Sequence, residues 1–167
     1  ILLARSREGA RGRPLGEQDT SLWDRRRIEA ARVLLDRDHD RRLGRFRLLA
    51  LIHLTHARRL HEGRVDWQAV ATLYDALARI DPGPVVALHR ALALDRAGDA
   101  AGGLAALPEP LADYAPWHAA HGELLAMAGR PGARAAFERA LALTGAEGAR
   151  ALLEQRTSTL LDAPAKR

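Results

Sequence analysis

Apolar residues recur along this chain every three or four positions, and glycine or proline interrupts them at nearly regular intervals. That spacing lines one face of a helix, whereas no stretch alternates with the period of two that a strand needs. The first long stretch begins near Ser21, placed as an N-cap with Asp24 three residues on as in a capping box, and carries Ile28, Ala31 and Leu35 on one side. Gly44 interrupts it. A second helix is predicted over 46–61, with Leu48, Leu49, Ile52 and Leu60, and Gly63 ends it. Asp66 reads as the next N-cap, with Val65 and Val70 spaced as a hydrophobic staple. Trp67, Val70, Leu73, Tyr74, Leu77 and Ile80 then give the clearest amphipathic pattern in the chain. Asp81-Pro82-Gly83-Pro84 stops that helix, and Pro84, whose ring fixes a helical φ, suits the first turn of the next.

Further helices are predicted over 84–97, 99–107, 113–128, 131–143 (with Pro131 at its start) and 146–160. Ahead of all these, Gly9, Gly12, Pro14 and Gly16 lie among charges, which predicts a flexible loop. The expected division is a truncated helix end plus loop over 1–20, a helical domain over 21–160 and a disordered tail over 161–167. The chain opens on Ile1-Leu2-Leu3-Ala4, without an initiator Met, and reads as a fragment of a longer protein.

Three places repeat one motif: a helix ends, a glycine follows, then a polar residue, then a new amphipathic helix. They are Glu62-Gly63-Arg64, Ala97-Gly98-Asp99 and Ala128-Gly129-Arg130, whose glycines stand 35 and 31 residues apart. A period near ~34 residues belongs to tetratricopeptide (TPR) helix pairs. Ala133, Phe137 and Ala140 match the small–aromatic–small pattern of the second helix in such a pair. Ala91 and Gly122 supply the small residue where two helices approach closely, and His56 stands at that place in the 46–61 helix. The predicted fold is all-α: a TPR-like α-solenoid of antiparallel helix pairs, with the last helix as a cap.

Composition narrows function more than fold. Hydrophobic residues make up 47% of the chain, enough for a sizeable core, while Ala and Leu dominate and aromatics are scarce, as helices prefer. The net charge is +5, nearly all of it from arginine, since Lys166 is the single lysine. Arginine is spread through every helix with Asp or Glu nearby, which is the signature of a solvated face rather than of a nucleic-acid surface. With no cysteine, disulfides, thiolate zinc sites and thiol nucleophiles are excluded, which suits a reducing cytoplasm. No apolar run reaches the length of a membrane span. No phosphate-binding loop and no Gly-x-Ser-x-Gly elbow is present, so the chain reads as a binding module rather than an enzyme, with no cofactor.

Seven histidines raise a metal hypothesis. His53 and His56 are spaced i, i+3, as are His118 and His121, and two such pairs brought together would complete a tetrahedral zinc site. The competing reading, which the pattern favours, is hydrogen-bonded core or groove histidines; His121 shares an apolar stripe with Trp117 and Leu124. Asp36, Asp38 and Asp40 mimic the start of a calcium loop, but Arg41 and Arg47 stand where Gly and Glu are required. Trp67 and Trp117 lie on helix stripes and are expected in the core, whereas Trp23 is open to an interface role. Helical-repeat stacks bind partners along a concave face. Here that face would hold His53, His56, His89, Arg90 and His118, together with Trp23 and with Arg58 and Arg59 near its end. Its basic character points to an acidic peptide or helix as ligand.

Several ordered phrases resemble the C-terminal TPR-containing extension of certain extracytoplasmic-function (ECF) sigma factors. They are Glu17-Gln18-Asp19 with Ser21-Leu22-Trp23-Asp24; His56-Ala57; Asp66-Trp67 running into Ala71-Thr72-Leu73-Tyr74-Asp75-Ala76-Leu77; Pro84-Val85-Val86-Ala87-Leu88-His89-Arg90-Ala91; His118-Ala119-Ala120; and Ala140-Leu141-Ala142-Leu143-Thr144. The resemblance implies a cytoplasmic regulatory segment that contacts the sigma core domains or RNA polymerase. DNA would be met only through upstream domains absent from this chain. Two departures stand out: His89 replaces a frequent Asn, and the loop at 8–16 is short. A free-standing adaptor of the same fold, or a DNA-binding helical domain, are the alternative expectations.

Overall fold

The computed structural model describes residues 2–10, 18–37, 43–145 and 147–161. Gly12, Pro14 and Gly16 of the predicted loop, Glu17 of the family-like phrase, Asp38, Asp40 and Arg41 of the calcium-like run, and the tail over 162–167 lie outside the described residues. Among the described residues every regular element is helical. They are α1 (Leu2–Arg5), α2 (Arg25–Arg37), α3 (Arg45–Ala57), α4 (Arg59–Glu62), α5 (Trp67–Ile80), α6 (Pro84–Arg96), α7 (Ala100–Ala105), α8 (Ala115–Met127), α9 (Ala133–Leu143) and α10 (Glu147–Leu161), with 3-10 turns at Glu8–Ala10 and Thr20–Leu22. No helix among them is long and apolar enough to cross a membrane.

The helix boundaries follow local chemistry. Gly63, Gly98 and Gly129 all adopt positive φ (69°, 98° and 62°), which L side chains rarely reach, so each of the three repeated glycines turns the chain after a helix. Asp66 caps α5 by accepting from the Ala69 N–H at 3.0 Å, and Asp99 caps α7 by accepting from the Gly102 N–H at 2.8 Å. Pro84 occupies the first turn of α6. Two expected starts move. Asp24, not Ser21, caps α2, accepting from the Arg27 N–H at 3.1 Å; Ser21 instead sits in the preceding 3-10 turn, where its own N–H is taken by Asp19. Pro131 does not begin α9, because Gly132 at φ 98° breaks the path and the helix starts at Ala133. The predicted 46–61 helix is divided at Arg58 into α3 and α4.

The chain forms two compact units, Ile1–Pro82 and Gly83–Arg167. In the first, α1 and the Glu8–Ala10 turn belong to the packed body: Leu3 and Ala10 share a core with Trp23, Ile28, Ala31 and Ala57. There α3 packs against α5, with Leu48, Val70 and Leu77 nearly free of solvent. In the second unit α6 packs on α7, and α8 packs on α9, with α10 laid against both α8 and α9. Ala133, Phe137 and Ala140 are buried as the small–aromatic–small pattern predicts. The small residues do permit close approach. A Cβ on Gly122 of α8 would lie 3.0 Å from the Phe137 ring of α9, and one on Gly103 of α7 would lie 2.7 Å from the Ala91 carbonyl oxygen of α6.

Candidate functional site

In the first unit the turn after α1 sets one side chain in an unusual place. Ser6 is buried, its hydroxyl donates to the Leu3 carbonyl at 2.8 Å, and its own carbonyl accepts from the Asp24 N–H at 2.7 Å. The turn is thereby tied to the start of α2, which fixes the next residue, Arg7. The Arg7 guanidinium donates from Nη2 to His53 Nδ1 of α3 at 2.8 Å and lies 6.0 Å from the Trp23 ring centroid. A guanidinium only donates, so Nδ1 must accept, and the His53 proton sits on Nε2. Burial pushes His53 down to about 4, and the Arg7 charge adds to the effect. Burial also lowers Arg7 itself. Among the described residues no carboxylate lies within ion-pair distance of Arg7, and its buried Nη1 has no hydrogen-bond acceptor.

Of the residues expected to line one groove, Trp23, His53 and His56 belong to the first unit and His89, Arg90 and His118 to the second. Trp23 and His53 come together through Arg7. Trp23, however, is only 3% exposed, so it forms the floor beneath Arg7 rather than a projecting anchor, because the turn of residues 6–10 packs over it with Leu3 and Ala10. His56, one helical turn from His53, is also buried and meets the Trp67 ring edge-on at 5.2 Å. The two imidazoles of that pair thus serve different neighbours. In the second unit His89 is exposed and its Nδ1 is 2.8 Å from the Val85 carbonyl; Arg90 is partly buried.

His118 and His121 of α8 both border Trp117, with ring centroids at 5.1 and 4.8 Å. Trp117 is buried as expected; its indole N–H donates to the Pro108 carbonyl at 3.1 Å. The His118 Nε2 is 3.0 Å from the Ala112 carbonyl, and Arg139 reaches the same carbonyl at 3.3 Å. Together they anchor the α7–α8 connection beside a shallow, open groove of about 520 Å³ whose walls include Trp117, His121, Leu125 and Ala135. Among the described residues no three or more His, Cys, Asp or Glu side chains gather as a metal site. Asp36, from the calcium-like run, pairs with Arg32 at 2.7 Å, and Arg47 donates to the Leu35 carbonyl at 3.3 Å.

A second cluster joins side chains of three separate helices. Glu123 of α8 is buried and accepts from Arg156 of α10 (Nη2 2.6 Å, Nε 3.0 Å) and from Arg96 of α6. Burial alone would raise its carboxyl, but the Arg156 hydrogen bond and the two arginine charges outweigh that and hold it below the usual range. Asp95 lies beside it with a side chain only 1% exposed; burial and the Glu123 charge push its carboxyl up to about 6. These groups lie on the polar edges of their helices, 27 and 33 residues apart in sequence. Pattern reading gives no hint of such a meeting. Arg7 was equally hidden, as one arginine among many in a stretch expected to be a loop.

Other arginines meet carboxylates: Arg27 with Asp24 and Glu8, Arg32 with Glu29 and Asp36, Arg45 with Asp81, Arg139 with Asp113 and Arg150 with Glu154. Such surface pairs contribute little stability, but they mute the positive field that nucleic-acid binding requires.

No protein-family model matches the chain. No solved structure matches it either. It is similar to an uncharacterized protein of Rhizobium meliloti (strain 1021), with 38% identity over 144 residues, a stretch covering 82% of this chain and 34% of the relative. The chain therefore spans about a third of the length of the curated relative it matches.

Proposed function

We propose that this chain is the C-terminal regulatory, protein-binding domain of an ECF-type RNA polymerase sigma factor, built as a TPR-like stack of antiparallel helix pairs capped by α10. It acts in the cytoplasm and modulates transcription initiation through contacts with the sigma core domains or RNA polymerase. It needs no cofactor and performs no chemistry. The observation that carries this reading is the threefold joint: Gly63, Gly98 and Gly129 each turn the chain between helices at positive φ, at spacings near the TPR period. The close approaches at Gly122 and Gly103 add the small-residue contacts such pairs rely on. The match to a third of a longer relative is in keeping with a segment that serves a larger protein. The paired arginines favour protein over DNA as the ligand.

The reading is tested by mixing the purified chain with the sigma core domains of its parent protein, and separately with RNA polymerase core, and following association by calorimetry. Saturable binding to one of them is expected. Absence of binding to both overturns the sigma-factor assignment.

A further inference from the structure

We propose that Arg7 and His53 form a recognition point for a carboxylate, and that it seats an Asp or Glu side chain from an acidic segment of the protein partner. The proposal rests on reading the chain as a protein-binding module and names the chemistry of its ligand.

A partly buried guanidinium is costly unless an anion compensates it. Two other partly buried arginines are met by carboxylates: Arg156 is held by Glu123, and Arg27 by Asp24 and Glu8. Arg7 has no such group among the described residues. Its neighbours are a neutral imidazole and an indole face, and Nη1 is shut away with no acceptor. The position is nonetheless held firmly. The Ser6 carbonyl is bonded to the Asp24 N–H, and Trp23 is locked in the core below. A fold that fixes an uncompensated cation so carefully is preorganised for an anion that arrives from outside.

The local chemistry selects a carboxylate. Guanidinium and carboxylate form short, charge-assisted bonds with directional geometry. The His53 Nε2–H is a second donor, because Nδ1 is committed to Arg7. Arg7 and His53 are both partly open to solvent, so an incoming side chain approaches the exposed edge of the pair rather than the buried Nη1. The indole of Trp23, buried beneath, holds the Arg7 guanidinium in place from below. The chain as a whole carries +5, which favours an acidic partner over a basic one.

The test uses the full chain labelled for histidine NMR and two short acetylated peptides, one rich in Glu and one with every Glu replaced by Gln. The Glu peptide is expected to raise the His53 titration midpoint from its low value, because a carboxylate at Arg7 offsets the cation that suppresses imidazolium formation; the Gln peptide is not. By calorimetry, Arg7→Gln is expected to weaken Glu-peptide binding by about tenfold or more, and Arg7→Lys, which keeps the charge, by less. If the Glu peptide leaves His53 unmoved, or Arg7→Gln binds it as well as the native chain does, the proposal is overturned. Inorganic sulfate shifting His53 as far as the Glu peptide does, at equal concentration, would mean a small-anion site and would also overturn it. Should Arg7→Gln lose its helical circular dichroism, the native chain with the two peptides still decides the matter. The result is independent of whether the sigma core domains bind, so failure of the functional assignment and failure of this site are told apart.

Discussion

Replacing Gly122 by Ala tests whether α8 and α9 truly meet at a residue without a side chain. At an open mid-helix position the change would stabilise by about 1 kcal/mol, because Ala is the better helix former. Here the added Cβ would lie 3.0 Å from Cγ and Cδ1 of Phe137 and 3.1 Å from Cδ2. Favourable carbon contacts begin near ~3.5 Å, so the ring or the helix must yield by roughly half an ångström. Phe137 is fully buried and has little room to yield. Overpacking of this kind costs about 1–3 kcal/mol, so the net result is a loss of about 0–2 kcal/mol where propensity alone predicts a gain. The assay is urea unfolding followed by circular dichroism, with Phe137→Leu made alone and in combination. Relief of the clash by the smaller side chain makes the double variant less damaged than the sum of the singles by at least ~0.5 kcal/mol. Stabilisation by Gly122→Ala, or strict additivity in the double variant, would refute the close-approach argument.

Gly103→Ala should cost more than Gly122→Ala in the same assay, because the new Cβ meets the Ala91 carbonyl oxygen at 2.7 Å and backbone cannot rotate aside. Ala substituted at Gly63, Gly98 or Gly129 should each lower stability by about 1–2 kcal/mol through the left-handed backbone alone, since nothing lies within 4 Å of any of these positions; no change in melting temperature would contradict the joint assignment. Asp95 should make stability depend on pH. Its folded carboxyl is raised to about 6, so the native state holds the proton more tightly, and its contribution is full below the unfolded value and lost as pH rises through about 6. Asp95→Asn should therefore be more stable than the native chain at pH 7, by about 1–3 kcal/mol, with the advantage gone at low pH. An equal difference at both ends would refute this. His53 works in the opposite sense: depressed to about 4, it withdraws stability as pH falls below its ordinary range, and Arg7→Gln should move its NMR titration midpoint upward.

Much of the architecture was legible because it is written locally. Gly63, Gly98 and Gly129 turn the chain where a residue without a Cβ is needed, and Asp66 and Pro84 act within one helical turn of themselves. Local signals misled where two competed: Ser21 and Asp24 are both good caps, and the choice fell to Asp24 because Asp19 had already drawn Ser21 into a 3-10 turn. Pro131 was a sound helix starter overruled by Gly132 beside it. The interaction residues were harder to find because their meaning depends on distant partners. The spacing of His53 marks it as a candidate, but the residue that gives it a role lies 46 positions away in a stretch whose glycines predict a loop. Trp23 looked like a surface anchor because nothing in its neighbourhood announces that the α1 turn will cover it. Glu123 resembled an ordinary polar position until α6 and α10 brought two arginines to it.

The most direct test of the proposed function is an in vitro transcription assay with the parent factor, intact and with this segment deleted. A change is predicted: loss of initiation if the segment supports contacts with polymerase, or a gain if it restrains the sigma core. Identical initiation by the intact and truncated factors, at matched concentration and promoter occupancy, would contradict a regulatory role in transcription.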